Sequence, residues 1–177
     1  MSHEPPPPPT HFPRLTVYSA KFLCGEYRLD RASEKQGREG PVKPGNYATA
    51  INIHNPSPWR TVSFRKKAVL LFDGSDPHFA DEPERPREPG RLFSVELRPD
   101  FGMEIDCPDI RKVLLEGKVK APAFIKGWLV LETWDPTPLD VVAVYTAHTF
   151  LDNRPEGFSI DTDRVPGVSV PFAWPWP

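Results

Sequence analysis

The chain has only two cysteines, Cys24 and Cys107, in 177 residues, and no CxxC pair. That scarcity excludes a small fold held by a disulfide framework and a cysteine-built zinc module. No segment reaches the roughly 20 consecutive apolar residues that a membrane-crossing helix needs, so no membrane span is expected. Basic residues do not dominate: the net charge is -2 and the isoelectric point about 6.2. A balance of that kind argues against nucleic acid as the main partner. The first residues carry no apolar leader segment, and the chain reads as cytoplasmic. A nucleophile elbow, a phosphate loop and metal-ligand spacing are all missing. The chain is therefore not expected to be an enzyme, and neither catalytic residues nor cofactors are expected.

Proline is what the sequence has in excess, with 24 residues. Proline cannot donate to a sheet ladder, so it gathers at strand edges, in loops and in tails. Residues 1–13, with the tract Pro5 to Pro9, read as a solvated polyproline-like arm, or as a ligand for an aromatic groove. Residues 14–170 read as one β domain. Residues 171–177 form a tail in which Phe172, Trp174 and Trp176 alternate with Ala and Pro.

Within the domain, short apolar runs alternate with Pro, Gly and Asn punctuation, and no stretch supports a long amphipathic helix. Tyr18, Ala20, Phe22 and Cys24 share one face of a first strand. Tyr47, Thr49, Ile51 and Ile53 share a face of a second, which Asn55-Pro56 ends. Phe64, Ala68, Leu70 and Phe72 mark a third. Phe93, Val95 and Leu97 mark a fourth, and Phe101, Met103, Ile105 and Cys107 a fifth. Residues 73–90 form a long Pro-rich, charged loop, expected to be mobile. Pro108-Asp109 opens a short helix carrying Ile110, Val113 and Leu114, with Asp109 supporting its N-terminus. Phe124 to Thr133 and Leu139 to Phe150 are apolar on both faces, and the tight link Trp134 to Pro138 suggests a hairpin between them. Phe158 to Val165 is more polar and suits an edge. The expected core includes Ile53, Leu70, Ile105, Leu129 and Val144.

About eight strands and one short helix describe an all-β protein: an antiparallel β-sandwich, immunoglobulin-like in detail, with a jelly roll as the alternative. The segments Tyr18–Gly25, Pro44–Pro56, Leu139–Ala147 and Ser159–Pro166 resemble a family of small bacterial β-sandwich proteins of unknown function. The resemblance implies a small sandwich and carries no activity and no site residues.

The soft metal ligands are Cys24, His54, Cys107 and His148, all far apart in sequence. They are weak candidates for a copper or zinc site. The cysteines are expected as buried free thiols, or as a cross-sheet disulfide if their strands meet. Glu104, Asp106 and Asp109 read as exposed strand positions and a helix start rather than as an acid–base cluster. In Arg65-Lys66-Lys67, alternation puts Lys66 on the opposite side from its neighbours. The tail is the least ordinary surface. Its prolines prevent helix formation, and alternate aromatics suit insertion into a groove of the same chain, a sister subunit or another protein. The expected role is a non-enzymatic assembly or interaction module, self-associating or part of a larger complex through that tail. A small-molecule or metal-binding β domain is the alternative.

Overall fold

A computed structural model of the chain describes residues 14–28, 42–74, 88–151 and 154–171. The Pro-rich arm, most of the 73–90 loop, and Phe172, Trp174 and Trp176 of the tail lie outside the described residues. Nine strands are present among those described: β1 (Arg14–Tyr27), β2 (Gly45–His54), β3 (Val62–Asp73), β4 (Phe93–Leu97), β5 (Gly102–Asp106), β6 (Ile125–Thr133), β7 (Asp140–Leu151), β8 (Arg154–Arg164) and β9 (Val168–Pro171). A three-residue helix, α1 (Cys107–Asp109), runs into a π-helical turn over Ile110–Leu114. The chain is thus all-β, as its alternating apolar pattern indicates.

All strand pairings are antiparallel and join the nine strands into one continuous sheet. The sheet doubles over at β1. Residues 14–24 of β1 lie between β6 and β9, in a layer ordered β4-β3-β6-β1-β9, here layer A. Gly25 to Tyr27 instead pair with β2, which belongs to the layer β5-β2-β7-β8, here layer B. The crossing depends on Gly25. Its φ is +100°, and a β-carbon there would lie 2.6 Å from the Pro122 carbonyl oxygen and 2.7 Å from Arg111 Nη2. Only glycine meets both demands.

Inward positions of both layers make one core. Tyr18, Phe22, Phe64, Leu129 and Leu131 from layer A meet Ile51, Ile53, Ile105, Val141 and Ala143 from layer B. Burial of such side chains contributes about 1.5–3 kcal/mol each. Polar groups at the crossing are satisfied. Buried Thr49 accepts from the Leu23 N–H and donates to the Leu23 carbonyl, both at 3.0 Å. Buried Arg111 donates to the carbonyls of Cys24 (2.9 Å) and Ala123 (2.5 Å). It thereby ties the π-turn to the end of β1.

Several sequence expectations need correction. The strands on either side of Trp134 to Pro138 are not a hairpin: β6 pairs with β1 and β3, whereas β7 pairs with β2 and β8. The link crosses between layers. The buried Tyr18 hydroxyl receives the Leu139 N–H at 2.8 Å and anchors the crossing. Val144 points outward, because Val141 and Ala143 hold the inner face of β7. Leu70 is only partly buried, beside a bulge between Leu70 and Phe72. The residue capping α1 is Asp106, whose carboxylate accepts from the Asp109 N–H at 3.0 Å. Finally, β9 extends pairing through Pro171, one residue into the segment read as tail.

Candidate interaction surface

The four soft-ligand candidates are not brought together. Cys24 and Cys107 are bonded to each other, with Cα atoms 5.6 Å apart, and no free cysteine remains. The free-thiol expectation is therefore wrong. The end of β5 lies beside the crossing of β1, and β5 runs directly into Cys107. The bond joins layer A to layer B across 83 residues of sequence. Neither sulfur is left as a thiolate to ligate a metal. His54 and His148 sit at opposite ends of the β2–β7 ladder, opposite Asp140 and Asn46 respectively. Eight residues at about 3.3 Å each separate them by roughly 26 Å. His54 Nε2 instead meets Asp100 Oδ1 at 3.2 Å. No group of three or more metal-type side chains occurs among the described residues.

Two surfaces stand out. The first is the outer face of β2, β7 and β8. Period-two alternation gives β7 the outward set Val142, Val144, Thr146 and His148. These lie opposite Asn52, Ala50, Ala48 and Asn46 of β2, and opposite Arg164, Thr162, Ile160 and Phe158 of β8. The centre of this face has no charge. At its rim Arg164 pairs with Asp140 at 2.9 Å, and Glu104 and Asp106 of β5 lie opposite Asn52 and Ala50. Along the edge, Phe158 and Ile160 are 69% and 60% exposed. The carboxylates of β8, Asp161 and Asp163, fall on the other side of the strand. There they act on Tyr145: burial first, then Asp163 and Asp161, raise its pKa.

The second surface is a loop cluster at the end of the sandwich where β2 and β4 finish. Asn55, fully buried, organises it. Its side-chain amide donates to the carbonyls of Arg60 (2.7 Å), Leu97 (2.9 Å) and Arg98 (3.0 Å). Its own N–H donates to the Phe101 carbonyl at 3.0 Å, and the Asp100 N–H reaches the Ser57 carbonyl at 3.1 Å. The Ser57 hydroxyl accepts from the N–H groups of Trp59 and Arg60. The β2–β3 and β4–β5 loops are thus one bonded unit. It presents Trp59, 86% exposed, and Phe101, 53% exposed, with the Arg98 guanidinium 5.8 Å from the Phe101 ring centre.

Sequence reading missed this cluster. Phe101 continues the alternation of Met103 and Ile105, so it reads as an inward strand residue. Asp100, at φ 57°, turns the chain before β5 begins and leaves Phe101 outside. The available signal was Trp59 within Asn55-Pro-Ser-Pro-Trp-Arg60, a large aromatic inside turn punctuation.

Elsewhere the basic run divides as alternation requires. Lys66 lies on the inner side of β3, where desolvation lowers its pKa against the opposing charge of Asp109. Arg65 and Lys67 point outward and share Glu132 at 2.9 and 2.5 Å.

The fold and surface define a class, an antiparallel all-β sandwich with an apolar patch on one sheet face and an aromatic loop end. Comparison with protein-family models, curated proteins and solved structures finds no match to this chain. The likeness of its strand segments to small bacterial sandwiches gains no support from them.

Proposed function

We propose that this protein is a non-enzymatic assembly module that associates with a second copy of itself through the outer face of layer B, with the C-terminal tail completing the contact. The observation that carries this reading is the uncharged field of Ala48, Ala50, Val142, Val144, Thr146, Ile160 and Phe158. Charge depletion with exposed large apolar side chains marks association surfaces. Size supports a role for the tail. Three strands about 4.8 Å apart, each contributing about seven residues, cover roughly 300 Å². A stable interface needs about 800 Å² per partner. Phe172, Trp174 and Trp176, at about 150–250 Å² each, are of the size to supply the difference. An immunoglobulin-like strand plan is the finer reading of the fold, supported by the four-strand order β5-β2-β7-β8.

The Cys24–Cys107 disulfide also bears on location. It supports maturation in an oxidising compartment over the cytoplasm that the sequence suggests.

Light scattering tests the association. The intact chain should run as a dimer, Ile160→Asp should be a monomer, and deletion of 172–177 should weaken the dimer while the β-type circular dichroism stays. A monomeric intact chain at high concentration, or a dimer indifferent to Ile160→Asp, would sink the proposal.

A further inference from the structure

We propose that the Trp59–Phe101 loop cluster is a receptor for polyproline, and that its occupant is this chain's own N-terminal arm, residues 1–13. The inference is independent of the layer B contact.

Three observations carry it. The first is a rigid platform. Asn55 and Ser57 fix both loops through the bonds described above, so Trp59 is held out in water by a preorganised frame. The two bonded loops thus each offer an exposed aromatic ring, an indole and a phenyl, of the kind proline rings stack on in aromatic grooves. A polyproline helix makes no internal hydrogen bonds, so its carbonyls need donors. Arg98, whose guanidinium lies 5.8 Å from the Phe101 ring centre, and Arg60, the residue after Trp59, have guanidinium N–H groups to give.

The second is the sequence of the arm, in which Glu4 precedes five consecutive prolines, Pro5 to Pro9. The tract matches the apolar rings, and the Glu4 carboxylate matches the arginines.

The third is where the arm joins the fold. β1 enters layer A at Arg14, and Thr16 lies opposite Thr133 at the end of β6. The Thr133 hydroxyl donates to the Ser63 carbonyl at 2.8 Å, at the start of β3, directly after the Trp59 loop. The arm therefore leaves the domain at the aromatic end. Two strand spacings, about 10 Å, separate β1 from β3. Thr10 to Pro13, at about 3.1–3.3 Å per residue, span roughly 13 Å and bring the tract within reach.

The test uses the full chain. Indole nitrogen NMR would be recorded on the intact protein and on a variant with Pro5 to Pro9 all replaced by Ser, with Trp59→Phe assigning the signal. The expected result is a shifted Trp59 resonance in the variant with Trp128 unmoved. A synthetic peptide of residues 1–13 should then return the Trp59 signal saturably. Arg98→Ala should weaken that peptide's binding roughly tenfold. Identical Trp59 signals in the two chains would overturn the proposal. So would peptide binding that survives Trp59→Ala. Anionic phospholipid vesicles provide the third arm. If they perturb Trp59 equally with and without the proline tract, the platform is a lipid-facing tip and the proposal fails.

Discussion

The two outer faces of the sandwich obey the same alternation and end in opposite chemistry. Layer A is closed by charge: Glu132 is shared by Arg65 and Lys67, and Lys21 lies 5.4 Å over the Trp128 ring. These charges meet cross-strand partners, and the face is suited to water. Layer B has Ala, Val and Thr at the corresponding central positions and two large apolar side chains at its edge. Inward residues barely distinguish the layers, since both supply aliphatic side chains to one core. What separates them is the half of each strand that the fold does not need. Stability is therefore shared between the layers, while the capacity to associate belongs to one.

The largest expected effect would break the sharing. Cys24 and Cys107 bind the layers covalently across 83 residues. Replacing both by Ala should cost about 4 kcal/mol in denaturant unfolding. Both layers should then unfold together in a single transition. Separate transitions would mean that the layers are independent units, and the comparison of their faces would lose its common core.

Much of this organisation is legible in the residues, and the limits are physical. Period two reveals which side of a strand faces the core, so Tyr18, Ala20, Phe22 and Cys24 read correctly. It does not reveal which layer the strand joins. β6 and β7 are apolar enough for either, and only the Tyr18–Leu139 bond and the ladders separate them. On β7 the outward Val144 and inward Val141 are the same residue type, so alternation could not choose between them. The disulfide depends on two strands meeting across 83 residues, which no local pattern records. The aromatic loop end is set by Asn55, whose three carbonyl partners come from residues 60, 97 and 98.

A smaller effect should sharpen the contrast between faces. Glu132→Gln on layer A leaves Arg65 and Lys67 without their shared carboxylate. The expected loss is about 1 kcal/mol, modest because the Arg65 side chain is 43% exposed, and smaller still in high salt. On layer B, Thr146→Lys should change stability by less than about 0.5 kcal/mol, as surface substitutions do, yet lower the mass seen by light scattering. A stability loss at Thr146 equal to that at Glu132, with mass unchanged, would erase the distinction.

The smallest effect concerns how β8 keeps its carboxylates off the outer face of layer B. β8 places Asp161 and Asp163 on the side of Tyr145, away from Phe158 and Ile160. Burial, then Asp163, then Asp161 raise the Tyr145 pKa above its ordinary 10.0. A raised folded-state value means that the folded protein holds this proton more tightly than the unfolded chain. The stabilisation is complete below pH 10.0 and is lost as pH climbs through the folded value. Asp163→Asn removes one of the raising charges without altering the outer face. Ultraviolet titration should then show Tyr145 ionising at lower pH, with the dimer mass at neutral pH unaffected. A Tyr145 titration indifferent to Asp163 would place that carboxylate elsewhere, and a fall in mass would place it at the interface. Either result would show that the apolar field is not kept clear by the turn of β8's charges toward Tyr145.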